Sequence, residues 1–205
     1  MSLPTPPELL VLHTLRCMGG ASLPRVAAAA GLTPSDVESE LIDLAVAGLT
    51  TTVPGEFGGW RLTDAGRVAD AERIADELAA AGTRATVERA FEGFLVLNPE
   101  LLDLCTAWQL RSVDGVVTAN DHRDAAYDAK VLALFEDMDR RLDHVCADLS
   151  AAMRRFHRYR VRLADALQRA RAGEREYLCD DLDSYHSVWF QLHEDLLATL
   201  GIPRR

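Results

Sequence analysis

The chain has almost no lysine: Lys130 stands alone beside 21 arginines. Positive charge is scarce overall, and the formal net charge is −10. Such a chain has no general attraction to nucleic acid or to an anionic membrane surface, so any DNA contact would need a local basic patch. The four cysteines, Cys17, Cys105, Cys146 and Cys179, are scattered without a CxxC unit, which excludes a zinc knuckle and a dithiol redox motif. No apolar run is long enough to cross a bilayer, and the opening MSLPTPPELL has no basic-then-apolar leader pattern. Cytoplasmic residence with reduced, buried cysteines is the resulting expectation. A glycine-rich phosphate loop, a nucleophile elbow and internal repeats are all missing, and HEDLL lacks the second histidine of a zinc helix. No catalytic residue, cofactor or metal site is therefore assigned. An enzyme is not excluded, because bundle enzymes can assemble sites without short motifs.

What remains is mostly helical pattern. ELLVLHTLRCM, residues 8 to 18, carries leucines at helical spacing and ends at Gly19-Gly20. Ser22 is placed to cap SLPRVAAAAG, closed by Gly31, and Thr33 to cap a third helix with Pro34 at its first position and Gly48 beyond its end. LTTTVPGEFGGWRLT then puts turn residues between two strand-prone segments, the pattern of a hairpin. From residue 64 the helical pattern resumes: one or two helices to residue 96, with interruptions expected at Gly82 or Gly93, and another opening at Asn98-Pro99 and reaching Arg111. SVDGVVTANDHRD reads as a connection. Helices follow over 123–149, 151–172 and 181–200. Short links between them predict a bundle of about four members.

The stretch LAVAGLTTTVPGEFGGWRLTDAGR resembles the recognition-helix end and wing of MarR-like winged-helix transcriptional regulators, through Leu44, Gly48-Leu49, Trp60, Leu62-Thr63 and Gly66. The likeness covers residues 8 to 75. It implies an N-terminal winged helix-turn-helix over 1–75; with the helical pattern beyond it, the expectation is a mainly α protein continuing in a connecting helix at 76–96 and a helical-bundle domain over 97–205. A second resemblance, carried by LNPELLDLCTAWQLR, NDHRDAAYDAKVLALFEDMD and DSYHSVWFQLHEDLLATLG, is to an uncharacterised helical region of actinobacterial proteins. Some of those resemble phosphoenolpyruvate-utilising enzymes carrying the region at their C-terminus, which implies a helper or regulatory module.

The expected function is therefore a non-catalytic regulator of winged-helix type, its helical domain sensing a ligand or forming a homodimer. A winged-helix-derived module that docks on protein, and an enzyme or small-molecule binder using a helical pocket, stand as alternatives. Arg25, Ser35, Ser39 and Arg61 are the candidate DNA contacts. Base readout needs donors such as arginine or lysine, yet the third helix offers Asp36, Glu38 and Asp43 instead, and Glu56 stands at the wing tip. Residues 1 to 90 hold seven arginines against twelve acidic residues. In the helical part, Trp108, Arg111, His122, Tyr185, His186, Trp189 and His193 are the candidate lining of a pocket for a small acidic or aromatic molecule. Asp183 lies three residues before His186, close enough on a helix to orient its ring. The run RRFHRYRVR is the one strongly basic segment. Its Arg155, Arg158 and Arg162 share a side, where they could meet phosphates or the acidic Asp180, Asp181 and Asp183.

Overall fold

The computed structural model describes residues 4–55, 58–113 and 115–203. It is mainly helical. Three helices open the chain, α1 (Pro7–Met18), α2 (Leu23–Ala30) and α3 (Pro34–Val46), followed by strands β1 (Thr50–Val53) and β2 (Gly59–Leu62). α1 and α2 both end on left-handed glycines, Gly19 and Gly31, whose N–H groups close the last turns. Thr33 caps α3 by accepting from the Asp36 N–H, whereas Ser22 makes no side-chain cap and leaves α2 to its proline start. β1 and β2 pair antiparallel, Thr50 opposite Leu62 and Val53 opposite Gly59, and Trp60 extends the ladder to Ala21. Glu56 and Phe57, at the expected wing tip, lie outside the described residues.

The Leu62-Thr63-x-x-Gly66 pattern has a clear physical basis. Thr63 Oγ1 donates to the Gly48 carbonyl at 2.7 Å and accepts from the Gly66 N–H at 3.0 Å. It thus ties the end of α3 to the start of α4 (Asp64–Ala81). A Cβ on Gly66 would lie 2.0 Å from the Leu49 carbonyl oxygen, so only glycine lets α4 cross the chain there. The core beneath holds Val11, Leu12, Leu15, Val26, Val37, Leu41, Leu44 and Leu62.

α4 passes from this core to a second one. Ala69 packs on the first and Leu78 on the second, which continues through α5 (Arg84–Gln109), α6 (Ala125–Ala152), α7 (His157–Arg171), the short α8 (Glu176–Cys179) and α9 (Tyr185–Leu200). Gly82, left-handed, is the break between α4 and α5. The helix start expected at Asn98-Pro99 is not found, because α5 runs through Pro99. Proline there removes one hydrogen bond, to the Leu95 carbonyl, on a side of the helix where Leu95 and Val96 are exposed. Asn98 is held on the other side, its Oδ1 accepting from Trp189 Nε1 at 2.9 Å.

The expected connection after α5 is instead a second antiparallel hairpin, β3 (Leu110–Val113) with β4 (Val116–Ala119). Leu110 and Arg111 therefore belong to a strand and not to the helix. Between α6 and α7 a single 3-10 turn, Arg154–Phe156, redirects the chain. No helix among the described residues is long and apolar enough to cross a membrane.

Candidate functional site

The most unusual chemistry lies where α1 and α4 meet α7 and α9. His13 interrupts the apolar face of α1 and is fully buried, as are Asp70 on α4 and Asp195 on α9. Its Nδ1 lies 3.0 Å from Asp70 Oδ1 and its Nε2 lies 3.0 Å from Asp195 Oδ1. A ring with a carboxylate on each nitrogen is an imidazolium, since both nitrogens must donate. Burial opposes that charge. Cys17, Asp195 and Asp70 favour it, and the pKa stands well above the ordinary value despite Arg155 nearby.

Asp195 is the hub. Its Oδ1 takes Arg155 Nη1 and the Thr199 hydroxyl, the latter at 3.0 Å. Its Oδ2 accepts from Tyr159 at 2.8 Å and from Arg158 Nη2 at 3.1 Å. Burial would raise this carboxyl's pKa, but Arg155, His13 and Arg158 override it and hold it well below the carboxylate range. Arg155 also donates to Glu77 at 3.0 Å and to Thr199 at 2.6 Å, while Arg158 reaches back to Thr14 on α1 at 2.6 Å. Three cations, His13, Arg155 and Arg158, thus face three anions, Asp70, Glu77 and Asp195. Balanced charge with donors satisfied is the condition under which buried ions are tolerated, and here Arg158 Nε is the one buried donor of the network left without a partner among the described residues. The partners come from α1 and α4 on one side and from α7, its preceding turn and α9 on the other. The network therefore couples the N-terminal unit to the helical one.

His13, Cys17 and Asp195 also bring a nitrogen, a sulfur and an oxygen within 4.8 Å of one another. In the protonation state described above, His13 Nε2 has no free lone pair and the Asp195 oxygens are occupied by guanidinium, hydroxyl and imidazolium donors. The trio serves as an ion-pair node in that state.

The residues expected to line one helical pocket separate into three places. Trp108 is buried, its ring 4.7 Å from that of His122. His122 adopts a φ of 56°, a conformation rare outside glycine, and is held by Asp128 at 3.1 Å and by Asn120. Arg111 pairs with Asp124 at 3.4 Å across the base of the β3–β4 hairpin. Tyr185 lies in the core and donates to Asp139, which also takes both terminal nitrogens of Arg160. His186, Trp189 and His193 line an apolar groove of about 580 Å³ between α5 and α9, which includes none of the first group. Asp183 does not orient His186. It turns to Arg162 at 3.4 Å and Arg25 at 3.6 Å, and burial lowers the His186 pKa.

Of the candidate DNA contacts, Ser35, Ser39 and Arg61 are exposed. Arg25 is engaged elsewhere, donating to the Leu182 carbonyl at 2.9 Å. The basic run resolves mostly into internal pairs: Arg155 and Arg158 on Asp195, Arg160 on Asp139 and Asp143, Arg162 on Asp183 and Gln191. No family model matches the chain, and no curated protein or solved structure is significantly similar to it.

Proposed function

We propose that the chain is a non-catalytic regulatory protein built on a winged helix-turn-helix, and that α3 presents a docking face to a basic protein surface rather than to DNA. The order of three helices and a hairpin, closed by Thr63 and Gly66, supports the winged-helix assignment. One observation carries the functional reading. The outward side of α3 consists of Ser35, Asp36, Glu38, Ser39, Ile42, Asp43 and Val46, all exposed and without a single base. Acidic side chains are repelled by the phosphate backbone and lack the donors that purine edges require.

The local field agrees with that composition. Burial raises the Glu40 pKa, and the carboxylates of Glu8, Asp43 and Asp36 add to the rise. Ile42 and Val46, 51% and 85% exposed, add an apolar strip of the kind that protein interfaces cover. Arg25, where a DNA-reading domain would use a phosphate clamp, is already committed to the loop before α9.

The test is the near-surface potential, measured by paramagnetic relaxation of amide protons with cationic and anionic nitroxides. The cationic probe should relax amides of residues 35–43 faster than the anionic one. The opposite ranking would overturn the reading and return α3 to nucleic acid.

A further inference from the structure

A cleft of about 480 Å³ lies between the two units, with α2, the Leu10 side of α1 and the N-terminal strap Pro4-Thr5 on one wall and the start of α7 on the other. Its charge sets it apart from the rest of this acidic chain. Arg154, Arg155, His157, Arg158 and Arg162 all line it, and among the described residues no aspartate or glutamate does. Arg154 and His157 are exposed at the mouth, and neither side chain forms a hydrogen bond or ion pair among the described residues. Arg155 and Arg158 form the buried floor, their side chains 1% and 9% exposed.

The carboxylates that compensate these arginines stand behind the lining. Asp195 and Glu77 serve the floor, and Asp183 is shared by Arg162 and Arg25. With His13 and Asp70 cancelling each other, the four lining arginines, Arg154, Arg155, Arg158 and Arg162, face three carboxylates, one of which, Asp183, is shared with Arg25 outside the lining. Between one and two positive charges are left over. Two further observations locate that excess. The buried Nε of Arg158, a lining residue, has no hydrogen-bond partner. Among the described residues, the Arg162 guanidinium is the one arginine whose pKa is driven down, by burial first, with Arg158 and Arg25 adding to it against Tyr159 and Asp183. Like charge thus gathers around the cleft, partly on its buried floor and partly at its exposed mouth, an arrangement that an anion would relieve.

We propose that this cleft binds a small organic phosphate monoester. At neutral pH such a group carries between one and a half and two negative charges, about the excess present. Guanidinium forks match its oxygens in geometry. The opposite wall, with Leu10, Ala28 and Leu32, together with Val161 on α7, suits an apolar body, and the volume falls within the range of small-molecule sites. Because one wall belongs to the N-terminal unit and the other to α7, the bound molecule would brace the two units against each other. The site is independent of what α3 contacts.

Phenyl phosphate, inorganic phosphate and phenol serve as probes, titrated by calorimetry at constant ionic strength. Phenyl phosphate should bind saturably at one site and at least about tenfold more tightly than either fragment, since both charge and apolar body contribute. The double variant Arg154→Ala/His157→Ala removes only the unpaired mouth groups. It should weaken phenyl phosphate about tenfold while leaving the urea midpoint of the free protein unchanged. The proposal is overturned by the absence of saturable binding, by equal binding of inorganic phosphate and phenyl phosphate, or by an unchanged affinity in the double variant.

Discussion

Replacing Asp195 by Asn keeps the side-chain volume and removes the charge, so the change isolates the electrostatic part of the hub. In the native chain this carboxylate is fully buried and is contacted by Arg155, Arg158, His13, Tyr159 and Thr199. Removing one partner from a buried ion pair costs about 3–5 kcal/mol, because the other charge is stranded without solvent. Here two guanidiniums and an imidazolium share the same anion. The losses are not additive and so are not summed, and about 4 kcal/mol is the expectation. Against a total stability of roughly 5–15 kcal/mol, that is a large fraction. Urea unfolding followed by far-UV circular dichroism measures it directly. Glu88→Gln is the control: Glu88 pairs with Arg84 at 3.5 Å with both side chains half exposed, and such pairs contribute about 0.3–0.5 kcal/mol. A loss below about 1 kcal/mol for Asp195→Asn would refute the claim that a buried, charge-balanced network holds the two units together.

The same network sets the pH dependence of stability. His13 has a raised pKa when folded, so its contribution is complete below about pH 6.5 and disappears as pH climbs through the folded value. Asp195 has a lowered one, so its contribution is present above about pH 3.9 and is lost as pH falls through the folded value. The urea midpoint should therefore decline on the alkaline side, and His13→Gln should flatten that decline; an unchanged slope contradicts the imidazolium assignment. Gly66→Ala should cost about 1–3 kcal/mol, because the new methyl meets the Leu49 carbonyl; a neutral result in urea unfolding monitored by tryptophan fluorescence would exclude that close approach. Burial pushes the Cys146 thiol up to about 12, so alkylation at neutral pH should occur only through unfolding. Fast labelling of folded protein would contradict this.

The parts of the fold that were legible in the sequence are those specified locally. Thr33 and Pro34 mark the start of α3, Gly19 and Gly31 mark helix ends, and the Leu62-Thr63-x-x-Gly66 run is a contact between neighbours in the chain. The β3–β4 hairpin also carries a local signal, the Val-Asp-Gly-Val of residues 113–116 between strand-prone residues, since Asp-Gly favours hairpin turns. Polar neighbours on both sides gave that segment the texture of a connection. The hub could not be found in this way. His13 and Asp70 are 57 positions apart, and Asp195 comes from the last helix. A charged residue among leucines signals that some partner exists, as His13 does in LVLHTL and Asp195 in HEDLL, but spacing does not name it. The aromatic and histidine content of α9 drew attention to His186 and His193, whereas the residue with the most partners was the aspartate between the leucines. The basic run was legible as a site of ion pairing. Its excess charge over the cleft emerged only once Asp195, Glu77 and Asp183 had been placed behind it.

The most direct test of the functional account is a titration with random-sequence duplex DNA over a range of salt concentrations. A protein that neutralises phosphates releases counterions, and its affinity falls with salt at a slope of about −0.9 per phosphate on a log–log scale. The acidic outward face of α3 and the engagement of Arg25 predict no saturable binding at moderate salt, and no such slope as salt is lowered. Saturable binding with a slope corresponding to several phosphates would contradict the account and make α3 a reader of DNA.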